Sequence, residues 1–175
     1  MFFDIQVLEK RKIPFDHAFA PGAINLLDEG LKQIGDLRAS GVAELVDPFG
    51  AREIHIRGSL RGELELACAR CLEPMRLLLA VPVDLYYRPM ASIAREEEIA
   101  ISEAETEIGF YEGRGLELAD LVREQVLVAL PISSVCREDC RGLCPICGGN
   151  RNGNPCSCRE TFTDPRWDAL KDFRC

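Results

Sequence analysis

The sequence lacks any run of about 18 apolar residues, the length that a membrane-spanning helix needs. With 47% hydrophobic and 29% charged residues among 175, its composition is typical of a globular protein. The first residues also lack the pattern of a secretory signal, because Asp4 follows two phenylalanines and the basic residues come after the apolar ones. We therefore expect a soluble, cytoplasmic protein.

Signatures of catalysis are also missing. Histidine is scarce, and His17 and His55 stand alone in the sequence. His55 falls on the polar side of a strand pattern, which predicts a surface side chain and not a ligand or a base. The sequence contains no Ser-His-Asp constellation, no phosphate-binding glycine loop and no paired-carboxylate motif. We expect no enzymatic activity and no small-molecule substrate.

Negative charge is concentrated in the first three quarters of the chain. Residues 1–135 hold 14 Lys and Arg against 23 Asp and Glu, whereas residues 136–175 hold 7 against 6. An acidic surface repels nucleic acid. Any contact with RNA is therefore expected from the later segment, and we divide the chain into an acidic body, 1–135, and a tail, 136–175.

The clearest structural pattern is an alternation that begins at Glu53. Apolar residues occupy every second position up to Cys68, and the alternation resumes from Met75 to Tyr87. The two runs predict a long β-hairpin with Cys68 and Cys71 at its tip. Within the first run, Gly58 and Gly62 are expected to mark bulges or bends.

The remaining segments are less regular. "LELADLVREQVLVALP" has one apolar helical face and a proline stop, which predicts a helix packed on the sheet. "MFFDIQVL" suggests an edge strand, "INLLDEGLKQI" a short helix, "GVAELVDPFGAREI" a further strand with a turn, and "DPRWDALKDF" a terminal helix. The run from Arg95 to Glu107 reads as a solvated acidic loop. The expected fold is α+β: an antiparallel, coiled β-sheet with one packed helix and a cysteine-rich tail.

Cysteine is the abundant residue, with nine in the chain. Without export, an oxidising compartment is not expected, and the odd count argues against complete disulfide pairing. Thiols grouped around turn-forming glycines are typical of a zinc site, since Zn²⁺ binds four thiolates tetrahedrally. The tail therefore predicts a zinc knuckle or ribbon. Its candidate ligands are Cys136, Cys140, Cys144, Cys147, Cys156 and Cys158.

The number of zinc ions is open at this point, because one site needs four ligands and the tail has six. We favour a single site that includes Cys144 and Cys147, since Cys68 lies on the apolar side of its strand and could belong to the core. Two sites would need eight ligands, which requires Cys68 and Cys71 as well. "CPIC" also resembles a redox dithiol, but it precedes Gly-Gly-Asn where such a motif would begin a helix.

Basic residues accompany the cysteines. They could contact RNA phosphates, or they could compensate the charge of the thiolates. The candidates for RNA contact are Arg137, Arg141, Arg151 and Arg159, together with the amides of Asn150, Asn152 and Asn154.

Four segments occur in one order: "CARCLEP", "LELADLVREQVLVALP", "CREDCRGLCPICGGNRNGNPCSC" and "DPRWDALKDF". Together they resemble the YceD family of large ribosomal RNA subunit accumulation proteins, over roughly residues 50–175. The resemblance implies a factor that supports accumulation of large-subunit ribosomal RNA during ribosome assembly. Its expected partners are ribosomal RNA, ribosomal proteins of the large subunit, or both. Zinc would then stabilise the tail.

Two other functions fit the cysteines. One is a thiol-based redox or zinc-sensing protein, in which oxidation ejects the metal. The other is a zinc-ribbon nucleic-acid-binding regulator, which the small charge excess of the tail disfavours. No membrane partner is expected in any of these cases.

Overall fold

The computed structural model describes residues 1–26, 30–47, 52–92, 108–153, 156–158 and 166. The chain forms two compact units. The body unit comprises Met1–Leu66 and Pro74–Ile132, and the cysteine unit comprises Ala67–Glu73 and Ser133–Cys175. The predicted boundary between residues 135 and 136 stays a prediction.

Strands dominate the described part of the body unit. They are β1 (Phe2–Asp4), β2 (Ile13–Phe19), β3 (Lys32–Gln33), β4 (Leu37–Val46), β5 (Glu53–Ala67), β6 (Pro74–Pro89), β7 (Ile108–Tyr111) and β8 (Gly115–Glu117). The helices are α1 (Ile5–Leu8) and α2 (Leu118–Ala129), and a 3₁₀ turn spans Met90–Ser92. None of the described helices has the length and apolar character needed to cross a lipid bilayer.

The main sheet has the strand order β2-β4-β5-β6-β7, with β3 also paired to β5. β1 and β8 form a separate two-stranded sheet. The pairs β2–β4, β3–β5 and β4–β5 are antiparallel, whereas β6–β7 is parallel. The fold is therefore α+β as expected, but the sheet is mixed and not purely antiparallel.

The predicted hairpin is present, because β5 and β6 are neighbours in the sheet. Along β6 every second residue from Met75 to Tyr87 is at least half-buried, as the alternation predicts. β5 departs from the pattern at its start, where Glu53 and His55 are buried as well. His55 is stacked on Tyr86, with ring centroids 4.1 Å apart, and its Nε2 lies 2.6 Å from Asp84. The expectation of a surface His55 was therefore wrong.

Gly58 does not mark a bulge on the β4 side of β5. The register between the two strands is continuous from Arg38 opposite Arg61 to Val46 opposite Glu53. A Cβ on Gly58 would lie 2.2 Å from the carbonyl oxygen of Ser40. Glycine is required here because the two backbones approach closely.

Helix α2 follows the predicted amphipathic pattern. Leu118, Leu121, Val122 and Val126 are buried on one face and belong to the apolar core beneath the sheet. The helix ends at Ala129, two residues before Pro131, which has no N–H to continue it. Tyr87 of β6 donates from its hydroxyl to Glu124 at 3.4 Å.

The first fifty residues differ most from expectation. β1 is only three residues long and passes directly into α1, so "MFFDIQVL" is not a single strand. The described part of "INLLDEGLKQI" contains no helix, and its last residues include β3. Gln33 is paired with Leu64 of β5, and its side-chain amide donates to the carbonyl of Phe19 at 2.6 Å. The acidic loop, the Pro-Gly turn and the terminal helix lie outside the described residues.

Two candidate metal centres

The first cysteine group, tetrad I, joins the hairpin tip to the tail. It comprises Cys68, Cys71, Cys136 and Cys140, whose Sγ atoms all lie within 4.8 Å of one another. The Sγ atoms of Cys68 and Cys140 are 3.9 Å apart, and those of Cys71 and Cys136 are 3.7 Å apart. Cys68 is fully buried, but it is not part of the apolar core cluster.

The second group, tetrad II, lies within the tail. Its members are Cys144, Cys147, Cys156 and Cys158, and their Sγ atoms also lie within 4.8 Å of one another. Cys144 is buried, whereas the other three are exposed. The described structure thus gathers all six predicted ligands and both hairpin cysteines into two groups of four. Each group could hold a metal ion, and the number of bound ions stays a prediction.

Each tetrad begins with the same backbone turn. In tetrad I the Cys68 carbonyl accepts from the Leu72 amide at 2.9 Å, and the Cys68 amide donates to the Glu73 carbonyl at 2.9 Å. In tetrad II the Cys144 carbonyl accepts from the Gly148 amide at 2.9 Å, and the Cys144 amide donates to the Gly149 carbonyl at 2.8 Å. Two Cys-x-x-Cys segments of different sequence therefore form one structural motif, which we call the knuckle.

The knuckle needs a residue with positive φ directly after its second cysteine. Leu72 has a φ of 61° and Gly148 a φ of 71°. Positive φ costs glycine little but strains a leucine. Gly148 is one of the turn-forming glycines that the sequence places beside the thiols, whereas nothing in the sequence indicates the same conformation for Leu72.

Backbone amides stabilise the thiolate form of the first cysteine in each knuckle. The amide of Cys136 donates to Cys68 Sγ at 3.4 Å, as does the amide of Arg70. The amides of Cys136, Cys71 and Arg70, in that order of effect, lower the pKa of Cys68 to about 6. The amides of Cys147 and Ile146 likewise lower the pKa of Cys144 to about 6. A thiolate is the form that binds metal.

The geometry of tetrad I fits a tetrahedral metal ion. A zinc ion with Zn–S bonds of about 2.3 Å holds its sulfurs about 3.8 Å apart. The Cys68–Cys140 and Cys71–Cys136 sulfur separations, 3.9 and 3.7 Å, match that value. The donor set is also suitable, because four thiolates are typical ligands of structural zinc.

Two asparagines that were predicted as RNA contacts instead make hydrogen bonds within the cysteine unit, and one of them connects the two tetrads. Asn152 lies between the second and third cysteines of tetrad II, and its Nδ2 donates to Cys140 Sγ of tetrad I at 3.4 Å. Its Oδ1 accepts from the Arg141 amide at 2.9 Å. Asn150 donates to Glu73 at 3.1 Å. The amides that the sequence suggested as RNA contacts are therefore engaged inside the cysteine unit, and Asn154 lies outside the described residues.

The predicted RNA-binding arginines are not equivalent. Arg137 is paired with Asp139 at 3.3 Å. The Arg151 side chain lines an open cavity of about 180 Å³ beside tetrad II, together with Pro145 and Ile146. Arg141 is exposed, and Arg159 lies outside the described residues. Arg70, which was not predicted, donates to the Cys140 carbonyl at 3.0 Å and thereby holds the tail against the hairpin tip.

Comparison with known proteins finds relatives in mycobacteria. The chain is 31% identical over 163 residues to uncharacterized proteins of Mycobacterium tuberculosis and Mycobacterium bovis, covering 90% of this chain and 72% of theirs. It is 24% identical over 183 residues to an uncharacterized protein of Mycobacterium leprae, covering 98% of this chain and 76% of the relative. No solved structure matches the chain significantly.

A family assignment comes from a different comparison. The sequence profile described as "Large ribosomal RNA subunit accumulation protein YceD" matches residues 56–174, which include most of β5, all of β6 and α2, and all eight tetrad cysteines. The chain therefore belongs to the YceD family, whose name implies a role in the accumulation of large-subunit ribosomal RNA.

Proposed function

We propose that this protein is a non-enzymatic assembly factor that supports accumulation of large-subunit ribosomal RNA. The observation that carries the proposal is the family match over residues 56–174. Ribosomes assemble in the cytoplasm, where thiols remain reduced, and we extend the proposal to that compartment. Reduced thiols are also what the two tetrads require.

Zinc is the metal that suits both tetrads. Four thiolates in tetrahedral array are the donor set of structural zinc, and the sulfur separations in tetrad I match that geometry. When bound, the ion supplies folding free energy to a segment with few apolar residues of its own. The chain presents eight sulfurs, four from the two knuckles and four from Cys136, Cys140, Cys156 and Cys158 of the tail.

Metal binding changes the charge of the cysteine unit. The unit holds eight Lys and Arg against seven Asp and Glu, a balance of +1. Eight thiolates remove eight charges and two divalent ions restore four, so the loaded unit carries about −3. Such a unit suits a basic ribosomal protein better than an RNA backbone. We propose a basic protein of the large subunit as its direct partner.

The test is depletion of the protein in its host. We expect the ratio of large- to small-subunit ribosomal RNA to fall, and the tagged protein to sediment with large-subunit precursors in a sucrose gradient. A normal ratio together with a protein that stays at the top of the gradient would contradict the proposal.

A second candidate function is supported by the exposure of tetrad II. Cys147, Cys156 and Cys158 are exposed, so an oxidant can reach three of the four sulfurs. A redox sensor would lose one metal ion per chain under mild peroxide and regain it after reduction. Full metal retention under peroxide would exclude this function.

A further inference from the structure

Two arginines face each other on the side of the main sheet that is turned away from the core. Arg38 of β4 and Arg61 of β5 are directly opposite in the antiparallel register. Both are exposed. Residues so paired have Cβ atoms about 4.5–5.5 Å apart, and like charges at that spacing repel. The sheet therefore carries an unfavourable pair at one end of the regular β4–β5 ladder.

Only one of these two arginines is neutralised. Arg38 makes a bidentate pair with Asp16, with N–O distances of 2.7 and 2.6 Å. Among the described residues, Arg61 has no hydrogen-bond or ion-pair partner.

The lack of a partner for Arg61 is unusual among the arginines on this face of the sheet. Three others each have a carboxylate within 3.2 Å. The pairs are Arg57 with Glu44, Arg76 with Glu63, and Arg88 with Glu53.

An open cavity lies beside the two arginines. Asp16, Arg38, Ser40, Ser59 and Arg61 line this cavity of about 320 Å³. The two serines are also cross-strand partners, and their hydroxyl oxygens lie 3.5 Å apart. Two guanidinium groups and two hydroxyls that share one cavity are typical donors to a phosphate group.

We propose that this face of the sheet binds the phosphodiester backbone of RNA, with Arg38 and Arg61 as the cationic contacts and the two serine hydroxyls as additional donors. A bound phosphate would turn the repulsion between the arginines into a shared attraction. The identification of the phosphate as that of RNA rests on the proposed function, whereas the anion site itself does not. The body unit would thus contact RNA through one local patch despite its acidic composition.

The experiment measures binding of a fluorescein-labelled, single-stranded 20-nucleotide RNA to the full-length protein by anisotropy, over a series of KCl concentrations. We expect Arg61→Ala to weaken binding on the order of tenfold and to reduce the salt slope by about one. Asp16→Asn, which releases the Arg38 guanidinium, should tighten binding. Arg76→Ala is the matched control, because it removes an exposed arginine of the same face that already has a carboxylate partner, and it should have little effect.

Several results would overturn the proposal. No binding by the wild type at low salt would do so, as would equal losses in Arg61→Ala and Arg76→Ala. Inorganic phosphate that displaced the RNA at an equal concentration of phosphate groups would assign the cavity to a small anion. Binding to phosphatidylglycerol vesicles that required Arg61, without binding to RNA, would assign it to a lipid headgroup. A thermal midpoint of Arg61→Ala at or above that of the wild type confirms that this variant folds.

Discussion

Leu72 and Gly148 occupy the same position in the two knuckles, each directly after the second cysteine and each with positive φ, 61° and 71°. The carbonyl of the first cysteine accepts from the amide of each residue at 2.9 Å. Leucine has no local reason to adopt this conformation, which costs it about 1 kcal/mol or more. Its presence shows that the surrounding contacts of tetrad I determine the turn.

The first prediction concerns the backbone strain that positive φ causes in the two knuckles. Leu72→Gly should stabilise the cysteine unit by roughly 0.5–1 kcal/mol, because the side chain is exposed and the strain relieved exceeds the conformational entropy that glycine adds to the unfolded chain. Gly148→Ala should destabilise the unit by a similar amount, since a Cβ there meets no atom within 4 Å and only φ opposes it. Chemical denaturation of the metal-loaded protein measures both changes. A Leu72→Gly variant less stable than the wild type would contradict this account.

The second prediction concerns the amide that links the tetrads. Asn152→Ala should accelerate metal release from tetrad I about tenfold, because it removes the donor to Cys140 Sγ. Asn152→Asp should act more strongly, since a carboxylate would face the thiolate. Release is followed with a chromophoric chelator, and the effect should appear in the slower of two phases. Arg151→Ala is the control, and equal acceleration in that variant would show that any change in the segment loosens the metal.

The third prediction is a loss of stability in alkali. Burial raises the pKa of Tyr87 well above its ordinary value near 10. The folded state therefore favours the neutral phenol, so this contribution is fully present below about pH 10 and is lost as the pH rises towards the folded pKa. Urea unfolding at pH 8 and pH 10.5 should show a smaller loss for Tyr87→Phe than for the wild type. Tyr86→Phe, at a half-exposed position, should behave as the wild type does, and equal losses in all three proteins would refute the prediction.

Local patterns in the sequence were sufficient to predict the longest strand and the longest helix. The period of two in β6 and the apolar face of α2 are short-range signals, and both elements lie where they were expected. The first fifty residues carried no comparable signal. Their structure depends on partners distant in sequence, such as the pairing of Phe2 with Glu117.

The sequence predicted that cysteines form a metal site, but it did not predict which cysteines belong to each tetrad. The tail cysteines and the turn at Gly148 follow from spacing and residue type. The contact between Cys68 and the Cys136 amide joins residues 68 positions apart, and nothing in the spacing of either segment indicates it. Burial of His55 likewise depends on Tyr86 and Asp84 of the neighbouring strand, which a single-strand pattern cannot show.

We propose that two metal ions bind and that one of them joins the hairpin tip to the tail, and metal content per chain measures this directly. Elemental analysis of protein purified without added metal should give two zinc ions for the wild type. It should give one for Cys68→Ser/Cys71→Ser and one for Cys144→Ser/Cys147→Ser. A single zinc in the wild type that Cys68→Ser/Cys71→Ser does not change would contradict the account.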